Sequence, residues 1–190
     1  IVGARIDLVP DGFAPRHKDG RNEKLADSQW SHSPPGFSCL FYPTDRAAWG
    51  RLCRLLSTGK LRAPKGECHL WFDDILNALE GQVLIAIPPE SYGADQQHDH
   101  QIDHAADKVL HLSNALKNGQ KKSQNKGFRS CLQKLNQAAP GQVWLAANMT
   151  YRGDDRRRLN ILNQLAGELG VPLIATNDVH FHDPDRRPLQ

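Results

Sequence analysis

The 190-residue sequence has no apolar run approaching the roughly 18 residues needed to cross a membrane, so no spanning helix is expected. Its opening, Ile1-Val2-Gly3, lacks the basic, then apolar, then small-residue order of a secretory signal. The four cysteines, at 39, 53, 68 and 131, form no Cys-x-x-Cys pair. That argues against a thiolate zinc site and for reduced thiols in a cytoplasmic protein. A phosphate-binding glycine loop, a Gly-x-Ser-x-Gly elbow, a His-Glu-x-x-His pair and internal repeats are all missing. Charge of one sign is scarce too: 24 Lys and Arg stand against 21 Asp and Glu, and a net +3 is too small to argue for nucleic acid by itself. There is no initiator methionine. The abrupt start in strand-like sequence and the abrupt end at Pro188-Leu189-Gln190 predict a fragment of a longer protein.

What is present is an ordinary globular composition, 39% apolar and 24% charged, long enough for one sizeable core. Short apolar runs predict strands over Ile1–Leu8, Phe37–Tyr42, Val83–Ile87 and Gln142–Ala147, with a further buried strand in Val171-Pro172-Leu173-Ile174. Between them lie helical patterns. Thr44 or Asp45 is placed to cap a helix with Ala48, Trp49, Leu52, Cys53, Leu55 and Leu56 at helical spacing, and Gly59 is expected to end it. Asp73-Asp74 predicts a short helix over Ile75–Leu79, and Phe128–Ala138 another with Phe128, Leu132 and Leu135 inward. After Asp154 or Asp155 comes the clearest helix, its inward stripe Leu159, Ile161, Leu162, Leu165, Ala166 and Leu169, closed by Gly170. Strands alternating with helices predict a mainly parallel α/β arrangement. The polar stretches near 13–35 and 90–127 read as loops or inserts, with a flexible connection over Asn118–Gly127.

Four clusters could carry chemistry. The last strand runs into Ala175-Thr176-Asn177-Asp178-Val179-His180. On extended backbone Asp178 and His180 share a face at the strand's carboxyl end, where a carboxylate and an imidazole could bind a divalent metal or move a proton. A turn-capping Asp beside a packed His explains the same pair. His98, His100 and His104 have metal-like spacing in part but sit in hydrophilic sequence that reads as a solvated helix start. Arg46, Arg51, Arg54, Lys60, Arg62 and Lys65 give one helix a basic face, either solvated or in contact with phosphates. Arg156-Arg157-Arg158 opposes the dipole of the helix it opens, a cost that solvent or an anionic partner would offset.

Several blocks together resemble one family: Val2-Gly3-Ala4-Arg5-Ile6-Asp7-Leu8, Tyr42-Pro43-Thr44-Asp45-Arg46-Ala47-Ala48-Trp49-Gly50-Arg51-Leu52, Lys65-Gly66-Glu67-Cys68-His69-Leu70, Tyr151-Arg152-Gly153-Asp154-Asp155, and Ala175-Thr176-Asn177-Asp178-Val179-His180 through Arg186-Arg187-Pro188-Leu189-Gln190. They resemble the PHP (polymerase and histidinol phosphatase) domain of the bacterial error-prone DNA polymerase, a relative of the polymerase III alpha subunit, over the whole chain outside the two insert regions. The resemblance implies a distorted β/α barrel, here a partial one truncated at both ends and spanning 1–190, whose strand-end loops in active members hold zinc or manganese and hydrolyse phosphoesters. Asp178 and His180 match the last ligand motif. Arg5 stands where that family has a ligand glutamate, and a buried guanidinium there would repel a cation. Leu40 and its neighbours offer no imidazole, and Leu145-Ala146-Ala147 lacks the expected glutamate.

An incomplete, vestigial metal site is therefore expected, with no catalytic residue in this stretch and no cofactor of its own. Magnesium would serve the parent's polymerisation, and neither zinc nor manganese is expected to be held by two ligands. The implied parent is a translesion nucleotidyltransferase acting in damage-induced mutagenesis, replication and repair, cytoplasmic, with DNA, other mutagenesis proteins and the sliding clamp as partners and no membrane. The alternatives are a metal-dependent phosphoesterase or 3′–5′ exonuclease of the same fold, and a purely structural module.

Overall fold

The structure is a computed structural model that describes residues 2–8, 37–90, 92, 125–149 and 153–177. Five strands form one sheet in sequence order: β1 (Ala4–Asp7), β2 (Ser38–Pro43), β3 (Gln82–Ile87), β4 (Val143–Ala147) and β5 (Leu173–Ala175). Between β2 and β3 lie α1 (Arg46–Arg62) and α2 (Phe72–Leu76). The helix α3, described over 125–138, precedes β4, and α4 (Asp155–Leu169) precedes β5. The chain is thus α/β, as its alternating patterns predict.

The sheet is mixed, where mainly parallel pairing was expected. β3–β4 and β4–β5 pair parallel, but β1–β2 and β2–β3 pair antiparallel. β2 alone runs against the other strands. The reason lies in the β2–β3 connection, which is not a single helical crossover. After α1 the chain turns and runs back along that helix, with His69 N bonded to Gly59 O (3.0 Å) and Arg62 paired with Asp74. It reaches the start of α1 again at Gly81, whose carbonyl accepts from Thr44 N (2.9 Å). β3 therefore begins beside the end of β2, Pro43 opposite Gln82. Among the described strands the sheet is open and does not close into a barrel.

Strand residues alternate between two faces. Ile6, Cys39, Phe41, Leu84, Ala86, Val143 and Leu145 point to one face, where Leu52 and Leu55 of α1, Phe72 and Ile75 of α2, Phe128, Leu132 and Leu135 of α3 and Leu162 and Leu165 of α4 complete a single core. Burying each Val, Leu, Ile or Phe among them is worth about 1.5–3 kcal/mol relative to leaving it in water. The opposite face carries a row in which Leu40 pairs with Ile85 and Ile85 with Trp144; Ile85 and Ala146 are buried there, outside that core. Tyr92, within the stretch read as an insert, is buried against Phe128 with ring centroids 5.4 Å apart.

The helix ends follow capping chemistry with some departures from expectation. Asp45 is the N-cap of α1, its Oδ1 accepting from Ala48 N at 2.7 Å. Gly59 does not end α1; it lies inside the helix, buried against Cys68 and Leu70, because the returning segment needs that close approach. Trp49 and Cys53 fall outside the inward stripe, which is Ala48, Leu52, Leu55 and Gly59. α2 starts three residues earlier than expected, with Asp74 Oδ2 accepting from Trp71 N. α3 includes residues 125–127, so the expected flexible connection ends sooner. Gly170 closes α4 in the left-handed conformation, φ 64°, as its sequence position predicts.

Candidate functional site at the carboxyl edge of the sheet

β1, β3, β4 and β5 run in one direction and end on one edge, at Asp7, Ile87, Ala147 and Ala175; β2 starts there at Ser38. Such an edge is where α/β folds collect ligand-binding side chains. β5 reaches it as a half-buried strand with Ala175 exposed, not as the fully buried strand expected, because β4 is its one neighbour among the described strands. Thr176 N continues the ladder by donating to Ala147 O at 2.9 Å. Asp178 and His180, the residues singled out as metal ligands, lie outside the described residues. So do His98, His100 and His104.

The described polar groups on this edge form two constellations. In the first, Asp7 Oδ1 accepts from Ser38 Oγ and, at 3.1 Å, from Arg5 Nε. Arg5 and Asp7 share a face because they are two apart on β1, and strand pairing sets Ser38 opposite Asp7. Arg5 is not the buried guanidinium expected at this position: its side chain is 50% exposed, since β1 is an end strand of the described sheet. In the second, Arg158 at the start of α4 is buried and donates Nη1 to Asn148 O at 3.2 Å and to Asn148 Oδ1 at 2.9 Å. Asp155, in the same first turn, is also buried and complements the helix dipole.

Among the described residues, the donor set on this edge does not by itself fit a divalent cation. The Asp7 carboxylate is taken up by a hydroxyl and a cation, and Arg5 adds positive charge within contact distance. Among the described residues, no group of three or more His, Cys, Asp or Glu is arranged to hold a metal ion. The Cys39 thiol, next to Ser38 on this edge, is not activated: burial pushes it up to about 12, against a weaker lowering by the Ile85 backbone, so it stays protonated. What the edge can do is present hydrogen-bond donors and cationic charge.

Arg158 was legible yet missed. It precedes Leu162 by four residues on the inward stripe of α4, so helical spacing alone places it inside. Read within an Arg-Arg-Arg run, it looks like solvated charge. Arg156 and Arg157 are indeed exposed.

The molecule is thus an α/β protein with helices packed on one face of a mixed sheet and a polar, cation-bearing strand edge. By sequence it is similar to one segment of several proteins named error-prone DNA polymerase, and it spans between a tenth and a seventh of their length. It is 42% identical over 167 residues to the error-prone DNA polymerase of Rhodopseudomonas palustris (strain HaA2), covering 80% of this chain and 14% of that protein. It is 42% identical over 153 residues to that of Brucella abortus biovar 1 (strain 9-941) and 40% identical over 153 residues to that of Caulobacter vibrioides, each match covering 80% of this chain and 11% of the relative. No family model matches the chain. No helix among the described residues is long and apolar enough to cross a membrane.

Proposed function

We propose that this chain is a structural part of an error-prone, translesion DNA polymerase, and that it does not itself catalyse a reaction. The observation that carries this reading is the match at about 40% identity over 80% of the chain to several proteins of that name, of which the chain spans little more than a tenth. The sheet would be part of a distorted β/α barrel of the PHP type, completed by residues beyond this chain. Its metal pocket would be degenerate, with Asp178 and His180 as vestigial ligands and Arg5 beside Asp7 in place of a bound cation. The intact protein would then extend primers on damaged DNA in the cytoplasm with magnesium at a site elsewhere. DNA, other mutagenesis proteins and the sliding clamp would be its partners.

The experiment is primer extension by the intact protein, with the metal content measured on the same preparation. Extension across a template lesion, and extension kept by His180→Ala, are expected. Stoichiometric zinc or manganese together with a phosphoesterase activity lost in His180→Ala would favour the metal-dependent phosphoesterase or 3′–5′ exonuclease reading instead.

A further inference from the structure

The outer face of α1 is unusual in its charge. Between Arg46 and Gly66 the chain carries six cations and no carboxylate. Two of the six are matched, Arg51 by Glu80 at 3.0 Å and Arg62 by Asp74. Arg46, Arg54, Lys60 and Lys65 have no carboxylate partner among the described residues. All four are exposed. With 3.6 residues per turn, Arg46 and Arg54 lie on either side of the centre of the outward face, and Lys60 lies further round on the side of Trp49. Arg46 to Lys60 spans about 21 Å at 1.5 Å per residue.

Two further features separate this face from an ordinary solvated helix. Arg46 sits in the first turn, at the positive end of the helix dipole, where the Asp45 cap is the one carboxylate of the helix start and is already bonded to Ala48 N. Beside the cations Trp49 is 42% exposed, a large aromatic residue partly left in water. Between them stand the exposed small residues Gly50, Cys53 and Ser57, which leave room for a polymer backbone to approach. Cations that follow a backbone and an aromatic ring that stacks on a base are the two components of single-strand recognition.

We infer that the outer face of α1 binds single-stranded nucleic acid, with Arg46, Arg54 and Lys60 on phosphates and Trp49 stacked on a base. In the polymerase reading, on which this inference rests, the strand is template DNA. An acidic surface of the rest of the polymerase would satisfy the cations but would not require a free aromatic ring beside them.

The test uses the intact protein and a fluorescently labelled single-stranded oligonucleotide, with affinity measured by anisotropy at several salt concentrations. Each single-strand phosphate contact contributes about −0.7 to the slope of log K against log salt. The triple variant Arg46→Gln, Arg54→Gln, Lys60→Gln is therefore expected to flatten the slope by about 2. Trp49→Ala is expected to weaken binding about 5- to 160-fold, the range of one base–aromatic stack, with little change in slope. All four positions are exposed and Gln is a good helix former, so circular dichroism should be unchanged. Primer extension on an undamaged template is measured in parallel. If the wild type extends primers while the variants keep its slope and affinity, this inference is overturned and the polymerase reading stands. The same holds if the variants keep DNA binding but become more sensitive to proteolysis between domains, which would assign the face to the polymerase body. A wild type that neither binds nor extends DNA overturns both.

Discussion

Arg158 ties the first turn of α4 to the end of β4, its Nη1 donating to both the carbonyl and the side-chain oxygen of Asn148, at 3.2 and 2.9 Å. The residue is 6% exposed, so these bonds form largely away from water and hold the strand edge against the helix. Hydrogen bonds to a charged group contribute about 1.5–3 kcal/mol, and leaving Asn148 unmatched adds to the cost. Arg158→Ala is expected to lower the unfolding free energy by about 2–3 kcal/mol in urea titrations. Arg158→Lys should recover only part of this, because an ammonium cannot offer the same planar fork. Unchanged midpoints in both variants would remove Arg158 from the fold's support.

Two glycines of α1 make a matched pair with opposite expected signs. At Gly50 an added Cβ meets nothing within 4 Å, and at Gly59 it would lie 2.6 Å from Cys68 Sγ and 2.8 Å from Leu70 Cγ. Ala gains about 1 kcal/mol over Gly in a helix interior. Gly50→Ala should therefore raise stability by roughly 0.5–1 kcal/mol. Gly59→Ala should lower it, since buried overlap of this kind typically costs about 1–3 kcal/mol. Thermal melts of the two variants side by side give the answer; shifts of the same sign would contradict the packing of the returning segment on α1.

Gly59 also illustrates what the sequence makes legible. A glycine at the end of an apolar stripe reads as a helix stop, since local pattern favours it there. What overrides the pattern is tertiary: Cys68 and Leu70, close in sequence yet beyond any helical period, need a position without a side chain. The strands β1 to β4, the Asp45 cap, the inward residues of α3 and the Gly170 stop depend on nearest neighbours or short periods, and all are readable from the chain. The direction of β2 is not, because it depends on the path of residues 63–81. The Asp7–Ser38 contact joins residues 31 apart and needs the strand register. Arg158 was within reach of periodicity but concealed by its neighbours of like charge. Asp178 and His180 are the part of the candidate site for which sequence remains the whole argument.

The Arg62 side chain is held from two directions. Its guanidinium forks onto both carboxylate oxygens of Asp74, one contact at 3.0 Å, and its Cζ lies 4.4 Å from the centre of the Trp71 ring. Asp74 also accepts from Trp71 N at 3.0 Å, so one carboxylate fixes the end of α1 and the start of α2 together. Exposed ion pairs contribute about 0–1 kcal/mol, but this one is bidentate, partly buried and stacked. A double-mutant cycle with Arg62→Ala and Asp74→Ala is expected to give a coupling of about 1 kcal/mol, somewhat above a typical surface pair. Arg62→Lys, which keeps the charge but loses the fork and the flat stacking surface, should behave more like Arg62→Ala. A coupling indistinguishable from zero would reduce this contact to a surface pair.

Alkaline pH should destabilise the fold through the buried Cys39 thiol. Burial pushes Cys39 up to about 12 from an ordinary 9.0. Burial also raises Cys68, partly opposed by Lys60, and raises Tyr92, partly opposed by Arg129. Below pH 9 the Cys39 thiol is protonated in both folded and unfolded chains, and its contribution is present in full. As pH rises from 9 towards 12 the unfolded chain releases this proton while the folded chain keeps it. The unfolded state then binds fewer protons, so unfolding becomes easier with rising pH. The melting temperature should fall across that window, and more shallowly in Cys39→Ala, with Cys68 and Tyr92 contributing to the residual slope. Comparing slopes rather than absolute melting temperatures separates titration from the cavity that the substitution leaves. At neutral pH a thiol reagent should modify the exposed Cys53 and leave Cys39 untouched in the folded chain. Identical slopes in wild type and variant, or rapid modification of Cys39, would mean that β2 does not bury this side chain.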